Sequence, residues 1–167
     1  MKKLCIKGLL VVLVVLTGCS YSVRLNQLPH LRDVMIIPLE NETLELYLEE
    51  DLRNSLISSF QQDGRLKIAY DNPDSRIDGR LIEYSNKIYG YDTDKNIEEY
   101  QVRLQMSLVF TDLVRNEVIY ENKALTLTER YSPYTVESVR FKSEEEALEE
   151  IFKELFRTII RNSLEAW

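Results

Sequence analysis

The chain has 167 residues, 44% of them hydrophobic, and its 28 acidic residues against 21 basic ones give a net charge of −7. That length is enough for one domain with a real core, and the acidic excess repels phosphate backbones, which argues against a nucleic-acid partner. Both cysteines, Cys5 and Cys19, lie near the start, so the rest of the chain can form no disulfide, thiolate metal site or cysteine nucleophile.

Met1–Gly18 reads as a processing signal. Lys2, Lys3 and Lys7 form a basic start, and Gly8–Leu16 is an apolar run ending in small residues. It is far shorter than the ~20 residues a spanning helix needs. Leu16-Thr17-Gly18-Cys19 resembles the bacterial lipobox, which implies cleavage before Cys19 and lipidation of that residue. Three acyl chains hold a protein at a membrane where one chain binds only marginally. Ser20 stands where enterobacterial inner-membrane lipoproteins carry Asp, so outer-membrane sorting is expected. The mature chain keeps 18 basic residues against 28 acidic ones, a net charge of −10. Its excess of acid lies in residues 19–65 and 143–167, while residues 66–142 are nearly balanced, with 11 basic and 13 acidic.

Residues 19–32 read as a lipidated tether and 33–167 as one domain. The tether holds the only histidine, His30, beside Pro29, and reads as a solvated linker. Val34-Met35-Ile36-Ile37, closed by Pro38, predicts a buried strand. Leu39–Thr43 predicts a polar turn in which Asn41 or Thr43 caps the next helix. In that helix Leu44, Leu48, Leu52, Leu56 and Phe60 recur every fourth residue, with acidic residues in the first turns and Gly64 as the stop. The period then changes to two. Leu66–Tyr70 predicts a strand, and so does Ile77–Tyr91, with a phase slip at Ile82 beside Gly79 that signals a bulge. Tyr100, Val102, Leu104, Met106, Leu108 and Phe110 point to one face of a third strand and Gln101, Arg103 and Gln105 to the other. Glu117–Arg130 is a further strand. Ser143-Glu144-Glu145-Glu146 matches a capping box opening a helix with a wide apolar stripe from Leu148 to Ile159. The expected fold is α+β: two amphipathic helices packed on one face of a mostly antiparallel four- to five-stranded sheet.

Chemistry has little material. No nucleophile motif, phosphate loop or zinc motif occurs, and the carboxylate clusters sit in first helix turns, where they complement the dipole. Neither an enzyme nor a cofactor or metal is expected, and Asp92–Asn96 reads as a strand-connecting turn rather than a calcium loop. Binding has two candidates. Arg103, Lys123 and Arg130 lie on the polar sheet face, where they could hold lipid-borne phosphates. Tyr84, Tyr89, Tyr91 and Tyr100 surround a hairpin tip, where tyrosine serves either recognition or strand formation.

Ile36–Thr43 with Leu48-Glu49-Glu50, then Asp63-Gly64-Arg65-Leu66, Asp78–Tyr84 and Val118–Asn122, resembles the LptE family of lipopolysaccharide-assembly lipoproteins in its branch outside the enterobacteria. The resemblance implies a non-catalytic domain with two helices and four strands, seated in the outer-membrane β-barrel LptD. There the family acts as plug and assembly partner and helps pass lipopolysaccharide to the outer leaflet. A rival from another class is a periplasmic adaptor lipoprotein that regulates a cell-wall synthase or builds a secretion pore. The short tether, poor in proline, favours a domain held close to the membrane.

Overall fold

In a computed structural model, residues 28–134, 136 and 139–165 are described. The expected signal, Cys19 and most of the tether lie outside the described residues. The elements run β1 (Asp33–Ile36), β2 (Glu40–Asn41), α1 (Leu48–Asp63), β3 (Lys67–Ile68), β4 (Ser75–Tyr91), β5 (Ile97–Asp112), β6 (Glu117–Tyr131) and α2 (Glu144–Ser163). The fold is α+β with two helices, as expected, but the sheet is mixed and has six strands rather than four or five. Its order is β3-β1-β4-β5-β6, with β2 also paired to β4. The three short strands β1, β2 and β3 pair in parallel, while β4, β5 and β6 are antiparallel. The parallel part has a local cause: the crossover through α1 returns the chain to β3 in the direction of β1. The sixth strand, β2, is two residues inside the expected polar turn, too short to show a period.

The four-residue repeat buries Leu48, Leu52, Leu56 and Phe60 along α1. Leu44 does not join them. The helix starts four residues later than its first leucine, from Tyr47, whose φ of 66° is left-handed and which makes no side-chain cap bond. Asn41 and Thr43 cap nothing because they are engaged in their own turn. Asn41 Oδ1 accepts from Thr43 N at 2.9 Å and from Thr43 Oγ1 at 2.7 Å, and Thr43 Oγ1 accepts from Glu45 N at 3.2 Å. Such local bonds compete with helix capping. At the other end Gly64, with φ 75°, donates its N–H to Phe60 O, the expected stop.

Ser143 caps α2, accepting from Glu146 N at 3.2 Å. The returning bond of the capping box goes to Lys142 N, 2.8 Å from Glu146 Oε2. The helix buries Ala147, Ile151, Phe152, Leu155, Ile159 and Ile160. It lies over β5 and β6, while α1 lies over β1, β2 and β3 and touches α2. Phe60 and Phe156 meet edge to face, with ring centres 5.0 Å apart and planes at 89°; a pair of this kind contributes ~0.5–1.5 kcal/mol beyond burial. Beneath them Val102, Leu104, Met106, Leu108 and Phe110 fill the core from β5. Arg65 joins the ends of the two helices, 3.2 Å from Asp63 and 2.5 Å from Glu165, although the angles fall outside hydrogen-bond geometry.

The phase slip in β4 is a bulge: the register with β5 shifts between Leu81 and Glu83, leaving Ile82 over. A second shift in β6 falls between Asn122 and Leu125. His30 is not a solvated linker. Its Nε2 lies 2.5 Å from Asp112 Oδ2, with the carboxylate side chain 3% exposed. Leu31 beside it is buried in the core, and Arg32 N donates to Asp74 Oδ2 at 2.8 Å. The residues just before β1 are therefore clasped to the start of β4 and the end of β5.

Candidate functional site

With its 17 residues, β4 extends roughly 55 Å at ~3.3 Å per residue, whereas the 20 residues of α2 cover roughly 30 Å. The hairpin end of the sheet therefore runs past the helices. The face of β5 away from the core carries Arg103, which pairs with Ser85 on β4 and Thr128 on β6. The next row on that face is Lys87, Gln101 and Arg130, one residue from each strand. Arg103 and Arg130 are thus diagonal neighbours, within ~8 Å on a pleated sheet. Lys87 completes the group.

Sequence reasoning missed Lys87. The signal was present in the slip at Ile82, which moves Glu83, Ser85 and Lys87 onto the open face, but that face could not be assigned without the pairing. Lys123 is on β6 but apart from this group. It falls in the second register shift, five residues from Thr128, or roughly 16 Å along the strand. Its ammonium lies 3.5 Å from Glu121 and its side chain is 84% exposed.

The three clustered cations differ in their surroundings. Arg130 Nη1 donates to Glu99 Oε2 at 3.0 Å, and its guanidinium lies over the Tyr89 ring, 4.9 Å from the centroid. That orients the planar group and offsets its charge. Among the described residues, neither Arg103 nor Lys87 has an acidic partner. Glu83 and Glu99 share the face, so the patch is mildly positive within a strongly acidic chain.

The tyrosines divide between two roles. The Tyr84 hydroxyl donates to Glu144 in the first turn of α2. Partial burial, followed by that bond, pushes the phenol well above its usual range. Asn86 Nδ2 donates to the same carboxylate at 2.7 Å and to the Tyr131 hydroxyl at 2.9 Å, and Tyr131 stacks on Tyr100 at 5.1 Å. Tyr84 and Asn86 thus tie the first turn of α2 to the sheet, with the stacked Tyr131 and Tyr100 beside them. Tyr89 and Tyr91 remain exposed near the tip. The tip is a tight turn: the Asp92 carboxylate accepts from Asp94 N, Asn96 N and Asn96 Nδ2. The side-chain bond from Asn96, ahead of its backbone bond, lowers the Asp92 pKa. Among the described residues no group of three potential metal ligands forms. No helix there is long and apolar enough to cross a membrane.

Residues 31–163 match the family model "LptE: Lipopolysaccharide-assembly". The chain belongs to the LptE family. Members of this family are lipoproteins without enzymatic activity. No curated protein matches the chain. Among solved structures, protein XCC0632 from Xanthomonas campestris is 11% identical, with 84% of this chain and 93% of that one covered at a TM-score of 0.56. The PelC dodecamer protein of Paraburkholderia phytofirmans is 14% identical, with 89% and 96% covered at 0.51. Uncharacterized lipoprotein B from Nitrosomonas europaea is 15% identical, with 85% and 88% covered at 0.50. At these identities the likeness is one of fold. The LptE-family chain shares its overall fold with proteins of widely differing sequence.

Proposed function

We propose that this LptE-family chain is an outer-membrane lipoprotein, anchored through Cys19. In this reading it serves as plug and assembly partner of the lipopolysaccharide-export β-barrel LptD and assists passage of lipopolysaccharide to the outer leaflet. The family match across residues 31–163 carries the reading. The open sheet face supplies its chemistry: Arg103, Arg130 and Lys87 meet the phosphates of lipopolysaccharide through charge-assisted bonds, with Lys123 farther along the same sheet. Arg130 is held in place by Glu99 and Tyr89, whereas Arg103 has its full charge to give.

Two measurements test this. Affinity purification from detergent-solubilised outer membrane recovers a large β-barrel protein with the chain; recovery of a peptidoglycan synthase alone would refute the plug role in favour of an adaptor. Arg103→Glu with Arg130→Glu lowers salt-sensitive lipopolysaccharide binding on the order of tenfold, the effect of reversing two charge-assisted contacts. Unchanged binding removes the sheet face from the proposal and leaves the barrel reading to the copurification.

A further inference from the structure

Among the described residues, the two most exposed large apolar side chains, Leu44 and Leu46, lie two positions apart and beside Tyr47. Leu44 is 100% exposed, Leu46 78% and Tyr47 69%, in the loop between β2 and α1. Large apolar groups held in water at one spot mark an interaction surface. This loop is also fixed. Asn41 Nδ2 donates to Glu45 O at 2.8 Å and to Glu49 Oε2 at 2.6 Å, while its Oδ1 holds Thr43. At the other end Tyr47 O accepts from Glu50 N and Asp51 N, both at 3.0 Å. An apolar finger held in one shape has little ordering cost left when it binds.

Its surroundings decide what it binds. Glu45, Glu50 and Asp51 are exposed beside the finger, with Glu40 and Glu42 paired to Arg80 at its base. The first turn of α2 adds more acid: Glu45 and Glu144 both bear on Tyr84, and Glu145 lines the interhelical groove with Asp51. A collar of carboxylates repels anionic headgroups and the phosphates of lipopolysaccharide, so a lipid surface is the wrong occupant. A second copy fits no better. The chain's own groove, about 910 Å³ between α1 and α2, is lined by Phe152 and Phe156 and by Asp51, Asp63, Glu145 and Glu149; its two bases, Lys153 and Arg157, are already paired to carboxylates of α2, so the acidic excess repels the collar. A protein surface with an apolar pocket rimmed by lysine or arginine satisfies both features, with the leucines as anchors and the rim steering the approach.

We infer that the Leu44–Tyr47 loop docks into such a basic-rimmed apolar pocket on the β-barrel partner, an assignment that rests on the plug reading above. The loop thereby acts on a different side of the molecule from the Arg103 face, and the acidic partner contact and the cationic lipid contact do not compete.

The test uses full-length chain co-expressed with the barrel in its own outer membrane. Leu44→Ser with Leu46→Ser is expected to lower the barrel recovered per chain at least tenfold. The melting temperature should move less than about 3 °C, because both side chains contact little in the free protein. Glu45→Lys with Glu50→Lys should lower recovery severalfold and reduce its sensitivity to salt. Undiminished recovery with the serine variant, when the wild type recovers barrel, overturns the loop assignment alone. So does a variant that retains barrel but loses binding to phosphatidylethanolamine–phosphatidylglycerol vesicles, or loses self-association measured by light scattering. Absence of barrel from the wild-type purification overturns the plug reading and this inference together.

Discussion

Gly79 offers a sharp test of how the sheet is packed. A Cβ built there meets Leu39 Cδ2 at 2.6 Å and the Ser107 carbonyl oxygen at 2.9 Å. Both distances are shorter than carbon contacts allow, and they differ in how they can be relieved. Leu39 can turn its terminal methyl, although it is buried; the Ser107 oxygen belongs to the backbone of β5, opposite Arg80. Overpacking of this kind costs ~1–3 kcal/mol. Replacing glycine by alanine in a strand returns ~0.5–1 kcal/mol through reduced backbone entropy. Gly79→Ala should therefore destabilise the domain by roughly 1–2 kcal/mol, lowering the melting temperature by about 2–8 °C for a domain of this size. Thermal and urea unfolding followed by circular dichroism measure this directly. Leu39→Ala apportions the clash. In its background Gly79→Ala should cost about 1 kcal/mol less than alone, a coupling typical of touching side chains. The reasoning is refuted if Gly79→Ala matches or exceeds the wild type in stability. Additive costs in the double variant would instead place the whole clash at Ser107. The site also connects to binding: Leu39 immediately precedes β2, which leads into the 44–47 loop, so the glycine lets that segment nest against the sheet.

Two further predictions separate apparent from actual core positions and charge pairs. Leu56→Ala should cost ~2–5 kcal/mol, because the side chain is fully buried. Leu44→Ala, on the same four-residue repeat, should stay within about 0.5 kcal/mol of wild type, as surface changes do; chemical denaturation distinguishes the two. Burial works to raise the Asp112 carboxyl, but the His30 bond and the backbone bonds from Arg115 and Val114 outweigh it and hold the pKa below its usual 3.8. A depressed pKa means that the stabilisation is present above about pH 4 and is lost as the pH falls through the folded-state value. Asp112→Asn should therefore be less stable than wild type at neutral pH, with the gap closing in acid. A gap that is constant with pH would show that the carboxylate's charge contributes nothing.

Much of the fold can be read from periodicity, and the failures have physical reasons. The strictly alternating β5 and the slip at Ile82 were legible because side chains of a half-buried strand must choose a face. The capping box of α2 and the stop at Gly64 were legible because they depend on neighbours in sequence. Leu44 misled because the four-residue spacing is blind to where a helix begins; the Asn41–Thr43 turn sets that start, and its bonds are specified by short polar residues that also fit a cap. β2 and β3 have two residues each and owe their strand geometry to neighbours distant in sequence. The same limit applies to the site. Arg103 and Arg130 could be placed on one face, but Lys87 joins them only through the pairing Lys87–Gln101–Arg130. His30 and Asp112, 82 residues apart, could not have been paired at all.

The clasp at His30 and the cation group lie at opposite ends of one rigid ladder. Asp112 pairs with Ser75 at the start of β4, and Lys87 lies twelve residues farther along that strand, or roughly 40 Å at the rise of an extended chain. A bilayer with its headgroups is about 40–45 Å thick. The eight residues between Cys19 and Leu28 span nine Cα–Cα steps, a reach of at most ~30 Å. On the proposed plug reading, an anchor in the inner leaflet of the outer membrane would keep the β5–β6 turn near the periplasmic side, and a domain standing in the barrel would present Lys87 and Arg103 near the outer surface. The sequence has no cysteine after Cys19, so single cysteines introduced into the domain can report this. In intact cells, a membrane-impermeant maleimide should label Lys87→Cys and leave Val114→Cys, an exposed site in the β5–β6 turn, unlabelled until the outer membrane is permeabilised. Equal labelling of both in intact cells, or labelling of Val114→Cys alone, would mean that the ladder does not stand across the membrane and that the cation face receives its ligand from the periplasm.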